Sequence, residues 1–284
     1  EAALGGSLNI DREAARKAVE QVGRRMGMDG VEAARGIVRL AVERMAHALR
    51  VISVQRGHDP GAFTLMSFGG AGGLHVCELA GAMGMNRAMV PVHAGVLSAL
   101  GMLVAPPGRQ LSRTLGRPLS DVTPAEVESG LESLAASGAE RLVAEGVVRD
   151  RLSVESTVDL RYQGQSCTLN VPWSADRDEL VDRFHDAHRR RFGHVMGVPL
   201  ELVNIRVNVT GPGRALDIPE WPVTQAAQPE GRVALPGFRE AVAVYRREAL
   251  GRGQALEGPA VITEQASTTW LAPGWRLEVD RSGN

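Results

Sequence analysis

A glycine-rich run, GGAGG, at positions 69–73 limits the folds that this 284-residue sequence can adopt more than any other segment does. An apolar segment of strand length, Phe63–Phe68, leads directly into the run, and Leu74–Met83 follows it with the composition of a helix. A strand that feeds a glycine-rich turn and then a helix is typical of α/β proteins that bring backbone N–H groups close to a phosphate or nucleotide. A tight turn that binds nothing explains the same glycines equally well.

Two common nucleotide motifs do not fit the run. A P-loop requires GxxxxGK[ST], and no Lys, Ser or Thr stands at the required place; the glycine spacing also differs from GxGxxG. We expect a strand-to-helix turn open to a cleft, with Gly70 as a position that needs positive φ. His75, just inside the following helix, is a candidate hydrogen-bonding group for a ligand, with capping or packing as the alternative.

The segments around the run alternate between helix and strand. Apolar spacing predicts a helix over Asp11–Met26, and Asp29 with Glu32 predicts a capping box that opens a second, longer helix. A strand over Ala88–Val92 and a helix over Ala94–Val104 follow the glycine-rich run. This alternation indicates an α/β layer with a parallel or mixed sheet.

The pattern changes after Pro107. Thr123 and Pro124 predict the start of a helix that runs to about residue 145. Period-two alternation then predicts a strand over 154–162, paired through a turn at Gly164 with a second strand over 167–171. A helix over 176–191 and a strand over 200–209 follow, and 215–228 is predicted to be irregular. We therefore expect a break between Arg109 and Asp121, with domains at 1–110 and 111–284.

Composition excludes several classes of protein. The formal charge of −1 gives no electrostatic footprint for nucleic acid. Residues 88–107 are long and apolar enough to span a bilayer, but Pro91, Gly95 and Gly101 interrupt them, so we predict no membrane segment. The two cysteines are far apart, which argues against a disulfide framework and suits the cytoplasm. We expect a fragment without a signal peptide, because the sequence begins at Glu1 without a leader pattern.

Histidines and cysteines provide the remaining candidates for chemistry. His185 and His188 are three residues apart on a predicted helix, with His194 just beyond, so they are candidate metal ligands. Their charged neighbours and the absence of HExxH favour a solvated helix face, and we predict no metal site. Cys77 is expected to pack as a small apolar residue. No catalytic residue can be assigned from the sequence.

Six blocks of sequence together resemble the hydantoinase A / 5-oxoprolinase family. The resemblance runs from about Asp11 to the end of the chain, with the blocks in the family's order. The blocks are SVQRGHDPGAFTLMSFGGAGGLHVCELA, MVPVHAGVLSALGMLVA, VDLRYQGQSCTLNVP, FHDAHRRRFGH, ELVNIRVNVTG and GPAVITEQASTTWLAPGW.

This resemblance implies an α/β fold in which 1–110 form part of a lobe like that of actin, sugar kinases and Hsp70, and 111–284 form an α+β C-terminal domain. It also implies ATP with Mg²⁺ as cofactor. The family's DxGGT-like phosphate loop is absent here and is expected upstream, in the missing N-terminal half. The residues implied to contact the nucleotide are Gly69, Gly70, Ala71, Gly72 and His75. The family usually has Pro where Gly73 stands, so we expect a looser start of the helix.

The activity implied by the resemblance is ATP-dependent opening of a cyclic amide. Hydantoin, 5-oxoproline, another lactam and a ketone remain open as substrates. A hydantoinase B-type subunit or domain is the implied partner, and a non-catalytic assembly domain is the alternative function. The hairpin Arg161–Ser166 is left open: it faces the partner, faces the substrate, or only makes a well-specified turn.

Overall fold

A computed structural model describes residues 3–4, 8–9, 11–217 and 219–284. The helices in this part of the chain are α1 (Arg12–Met26), α2 (Gly30–Ile52), α3 (Gly72–Ala82), α4 (Leu97–Val104), α5 (Pro124–Ala144) and α6 (Arg177–Phe192). The strands are β1 (Ala3–Leu4), β2 (Leu8–Asn9), β3 (Leu65–Met66), β4 (Ala88–Met89), β5 (Gly108–Pro118), β6 (Ser153–Tyr162), β7 (Leu169–Pro172), β8 (Leu200–Thr210), β9 (Gly231–Val233), β10 (Val242–Arg246), β11 (Ala255–Glu257), β12 (Ala260–Thr263), β13 (Thr268–Leu271) and β14 (Arg276–Glu278).

The chain divides into two compact units. The glycine-turn unit contains the described residues before Leu100 together with those after Asp217, and the four-stranded unit contains Leu100–Asp217. The predicted single domain over 111–284 is therefore divided, because the last part of the chain packs with the first. No helix in the described residues combines the length and the apolar character needed to cross a membrane.

Short, separate sheets build the glycine-turn unit. β3 and β4 pair in parallel, with Leu65 opposite Ala88. A second sheet has the order β13-β12-β10-β9, and β11 pairs with β14. The apolar core joins the two parts of the chain, because α3 residues such as Val76 and Ala80 pack in one cluster with Ile262 of β12 and Leu271 of β13.

A four-stranded antiparallel sheet in the order β5-β8-β6-β7 builds the other unit. α5 packs on β5 and β8, and α6 packs on β7. The sequence period decides which side chains face these helices: Val158, Leu160 and Tyr162 of β6 are buried in the core. This core is separate from that of the glycine-turn unit.

Local sequence signals at the helix starts are confirmed. The Asp29 side chain accepts from the Glu32 N–H while the Glu32 side chain accepts from the Asp29 N–H, so the predicted capping box is present. Thr123 accepts from the Glu126 N–H, with Pro124 as the first residue of α5. Side-chain oxygens at these positions satisfy N–H groups that have no partner within the helix.

Several predicted elements differ in extent. The strand predicted over Phe63–Phe68 is only the two residues of β3, and a 3₁₀ turn precedes α4. The predicted break from Arg109 to Asp121 is occupied mainly by β5, which is eleven residues long and which we did not predict from the sequence. β5 is stabilised by pairing with β8, about ninety residues away in the chain, and local patterns carry little of that information.

Candidate functional site

The glycine-rich run forms a turn between β3 and α3, as the sequence predicts. Gly69 has φ of +87°, and its N–H donates to the Ala94 carbonyl oxygen at 2.7 Å. Gly70 is absent from the positive-φ positions, so the expectation that Gly70 needs this conformation was wrong and the requirement falls one residue earlier. A residue with a Cβ is strained in this region, whereas glycine is not.

Two backbone N–H groups of exposed residues indicate anion binding at this turn. Gly70 and Ala71 are exposed, and in the described part of the chain their N–H groups have no hydrogen-bond acceptor. Ala71 is the N-cap of α3, and no side chain caps this helix end. Unpaired N–H groups at a helix N-terminus carry partial positive charge, so the turn can bind a negatively charged group such as a phosphate.

The other glycines of the turn are needed for close packing. A Cβ on Gly72 would lie 2.7 Å from Ser67 Oγ, and one on Gly73 would lie 2.6 Å from Thr269 Oγ1. Gly73 is buried against β13, so the start of α3 is closely packed rather than loose. The glycine run therefore meets two structural needs. Gly69 adopts a positive φ in the turn, and Gly72 and Gly73 leave room for close packing that a side chain would block.

Two further turns flank the glycine run. One contains His93, which has φ of +60°, and the 3₁₀ turn Ala94–Val96. The other connects β12 and β13, and the N–H of Thr268 at its end donates to the Gly70 carbonyl oxygen at 3.3 Å. The run is thus held on both sides by segments distant in sequence.

His75 lies in the second turn of α3 and is half-buried. Its Nδ1 atom is buried and has no partner among the described residues. Three hydroxyl groups share this condition, and they belong to Ser67, Ser267 and Thr269. Buried polar groups are nearly always hydrogen-bonded, so water or ligand atoms are needed to satisfy these four atoms. We did not select the three hydroxyl residues from the sequence, because no motif marks them and only the fold buries them.

Cys77 packs in the core, as the sequence predicts. It is buried in α3, and its thiol donates to the Trp270 carbonyl oxygen at 3.4 Å. Burial raises the pKa of the Cys77 thiol, which disfavours the thiolate needed for nucleophilic attack.

The prediction of a solvated face for the α6 histidines was wrong for His188. This residue is only 1% exposed and continues the buried stripe of Leu180 and Phe184 at a spacing of four. Its Nδ1 lies 2.7 Å from the His194 carbonyl oxygen, and its Nε2 lies 3.2 Å from the Gln165 side-chain nitrogen. A carbonyl oxygen only accepts, so Nδ1 carries the proton and Nε2 accepts from Gln165.

Both ring nitrogens of His188 are therefore engaged in hydrogen bonds within the protein. His185 stacks on Tyr162 at 6.0 Å between ring centroids. Within the described residues, no group of three or more His, Cys, Asp and Glu side chains is placed to hold a metal ion.

The hairpin Arg161–Ser166 is anchored by its side chains. Arg161 forms two hydrogen bonds with the Glu201 carboxylate at 2.9 and 3.0 Å, and the Tyr162 hydroxyl accepts from the Met196 N–H at 3.0 Å. With the Gln165–His188 contact, these bonds fix both ends of the turn. Of the three interpretations left open by the sequence, these contacts favour a well-specified turn.

Comparison with known proteins gives matches over the whole chain. The sequence model of the family described as "Hydantoinase/oxoprolinase" matches residues 2–110, and that of the "impB/mucB/samB family C-terminal domain" matches residues 110–212. An uncharacterised protein of Methanocaldococcus jannaschii is 35% identical over 98% of this chain and 41% of its own length. The caprolactamase subunit alpha of Pseudomonas jessenii is 31% identical over 99% of this chain and 43% of its own length.

Two solved structures also match nearly the whole of this chain. The structure of ATP-dependent caprolactamase from Pseudomonas jessenii matches all of this chain and 44% of its own with a TM-score of 0.79. A nucleotide-free acetone carboxylase structure matches 98% of this chain and 43% of its own with a TM-score of 0.66 at 21% identity, which shows a shared fold. This chain therefore spans about two fifths of the length of these relatives.

Proposed function

Because this chain belongs to the hydantoinase/oxoprolinase family, we propose that it is part of an ATP-dependent amidohydrolase that opens a cyclic amide of the hydantoin or 5-oxoproline type. The observation that carries the proposal is that the N–H groups of Gly70 and Ala71, at the uncapped N-terminus of α3, have no acceptor among the described residues. A phosphate-bearing cofactor fits this position. The ATP dependence of the related caprolactamase supports ATP as that cofactor.

We assign nucleotide contacts to Gly69, Gly70, Ala71 and Gly72, with His75 as a further contact. Gly69 shapes the turn, and the next two residues supply donors. Mg²⁺ enters the proposal as the companion of ATP. We expect the acidic side chains that hold Mg²⁺ in the rest of the protein, as the resemblance to the family implies. ATP would supply the driving force for opening an amide ring, while these residues bind and orient it.

The same proposal covers partners and location. The caprolactamase relative is named as a subunit, which supports a second polypeptide as partner. That this partner is of the hydantoinase B type is what the family resemblance implies. The same subunit name equally supports the alternative that this part of the protein serves in assembly without contacting nucleotide. We propose a cytoplasmic location, in keeping with two free cysteines and with the use of ATP.

Paired substitutions at Ala71 test the nucleotide site. Asp and Asn both cap helices well, so Ala71→Asp and Ala71→Asn should leave the protein folded. Asp alone adds negative charge beside a bound phosphate. We expect Ala71→Asp to weaken ATP binding by the intact protein by roughly tenfold or more, and Ala71→Asn to bind nearly as the unchanged protein does. Equal affinities for the two variants, measured by isothermal titration, would favour the assembly alternative.

A further inference from the structure

The turn between β12 and β13, Glu264–Ser267, lies directly against the glycine-rich run. We name it the hairpin turn. A Cβ on Gly70 would lie 3.1 Å from the Ala266 carbonyl oxygen, and one on Gly95 would overlap that same oxygen. We propose that the hairpin turn positions the glycine run for nucleotide binding, and that the buried ion pair between Arg247 and Glu264 holds the hairpin turn in place. This inference rests on the proposed function.

Arg247 is connected to three separate segments. Its Nη1 lies 3.0 Å from Glu264 Oε1, and the two side chains are 9% and 10% exposed. Its Nη2 donates to the carbonyl oxygens of Val90 and Gly283 at 2.6 Å each, and its Nε donates to Gly283 at 3.2 Å. The planar guanidinium can serve these acceptors at once, whereas an ammonium group cannot reproduce that geometry.

These contacts reach both sides of the glycine run. Glu264 begins the hairpin turn, whose neighbour Thr268 donates to Gly70. Val90 follows β4 and lies four residues before Ala94, whose carbonyl oxygen accepts from the Gly69 N–H. One buried side chain therefore fixes the two segments between which Gly69 and Gly70 are held.

The hairpin turn has few other polar anchors. The Ser267 hydroxyl is buried and has no partner in the described part of the protein, and the same holds for Thr269 just beyond it. Within the turn itself, the Glu264 N–H donates to the Ser267 carbonyl oxygen at 2.9 Å. The position of the turn relative to the core therefore depends on the Arg247–Glu264 pair, and breaking a buried pair displaces the groups that it holds.

Three substitutions in the intact protein test this inference. Arg247→Lys keeps the positive charge but loses the planar guanidinium, and Glu264→Gln keeps the side-chain shape but loses the negative charge. Gly95→Ala leaves the Arg247–Glu264 pair in place but adds a Cβ that overlaps Ala266. Each change displaces the donors of the glycine run from the bound phosphate, so we expect the ATP dissociation constants of these variants to rise by roughly tenfold or more. Glu264→Gln should show the smallest rise.

Affinity must be separated from general loss of stability. Each dissociation constant is measured well below the melting temperature of that variant, by titration with ATP. Arg206→Lys is the matched control, because it weakens the ion pair of another buried carboxylate, Asp159, in the four-stranded unit. We expect this control to lower the melting temperature without changing the affinity for ATP.

The outcomes distinguish the two proposals. If Ala71→Asp weakens ATP binding while Glu264→Gln and Gly95→Ala bind ATP as the unchanged protein does, the positioning inference is wrong and the proposed function stands. If Ala71→Asp has no effect either, the nucleotide site itself is wrong. Should Arg247→Lys fail to fold, Glu264→Gln and Gly95→Ala decide the question.

Discussion

Gly69 and Gly70 are adjacent, yet a side chain is disfavoured at each for a different physical reason. Gly69 has positive φ, and a Cβ added there would meet no atom of the described residues beyond its chain neighbours within 4 Å, so conformation alone favours glycine. Gly70 has an ordinary φ but faces the Ala266 carbonyl oxygen. The sequence marks both positions as glycine and does not separate these reasons.

Substitution of Gly69 should therefore act through backbone strain. We expect Gly69→Ala to lower the free energy of unfolding by about 1–2 kcal/mol, the cost of the left-handed region for a residue with a Cβ. Gly36→Ala is the control: Gly36 lies in α2, has ordinary φ, and a Cβ added there would meet no other atom within 4 Å. It should raise stability by about 0.5–1 kcal/mol. Urea unfolding measures both, and similar effects of the two substitutions would contradict the difference in cause.

Asp159 is a second residue whose environment is defined by the fold. It is 3% exposed on β6. Burial by itself raises the pKa of this carboxyl, but hydrogen bonds from Asn170, Asn204 and Arg206 outweigh burial, and the net pKa of Asp159 is lowered. An acid with a lower pKa in the folded state stabilises the fold above its unfolded-state pKa of ~3.9 and loses that effect as the pH falls through the folded-state pKa.

The pH dependence of stability should therefore change when Asp159 is replaced. We expect Asp159→Asn to be less stable than the unchanged protein at pH 7, with a difference that shrinks below about pH 4 as the carboxyl takes up its proton. Asp150→Asn, at an exposed position without side-chain hydrogen bonds in the described residues, is the control. Urea midpoints from pH 2 to 7 provide the comparison, and a difference independent of pH would argue against this account.

At the scale of elements, α6 and the hairpin Arg161–Ser166 form one interlocked structure. His188 on the buried stripe of α6 joins the Gln165 side chain to the His194 carbonyl oxygen, and Tyr162 packs edge-on against Phe184. The helical period that buries Leu180 and Phe184 also buries His188. The spacing of three between His185 and His188 is that of a possible metal site, but the spacing of four from Phe184 places His188 in the core instead.

Removal of His188 should destabilise the four-stranded unit. We expect His188→Ala to lower the free energy of unfolding by about 2–3 kcal/mol, because it leaves the polar groups of Gln165 and His194 without a partner. His185→Ala, next to it on the half-buried side of α6, should cost less. Addition of zinc should leave the melting temperature of the unchanged protein where it was. A rise abolished by His188→Ala would establish a metal site instead.

At the scale of the whole molecule, the two cores predict which fragments fold. The core of the four-stranded unit lies entirely within Leu100–Asp217, whereas the strands after Asp217 pack with α3. We expect a 100–217 fragment to unfold cooperatively. A 111–284 fragment, the domain predicted from sequence, lacks β5's first residues and the core partners of its last strands. It should show poorly dispersed NMR signals from 219–284, and well-dispersed signals there would contradict the division.

Activity is expected to need more than this chain. Phosphoryl chemistry depends on cations and phosphate-binding groups placed around the phosphate, and closure over the nucleotide excludes water. The family resemblance implies that the phosphate loop and the metal-holding acids lie outside this chain, so we expect this chain alone to hydrolyse no ATP above background. An ATPase assay beside the full-length protein with its partner tests this, and comparable turnover by the chain alone would mean that the catalytic groups are here.

The sequence alone determined those features whose causes lie within a few residues of one another. The capping box of Asp29 and Glu32, the start of α5 at Pro124 and the extent of the strand β6 depend on local sequence, and each is present as predicted. The glycine turn itself also followed from its neighbours. Only the tertiary structure decided the pairing of β5 with β8 and the return of the last strands to α3. It also decided the placement of Arg247 and Ala266 beside the turn, because these contacts join residues that are distant in sequence and are stabilised by packing rather than by local propensity.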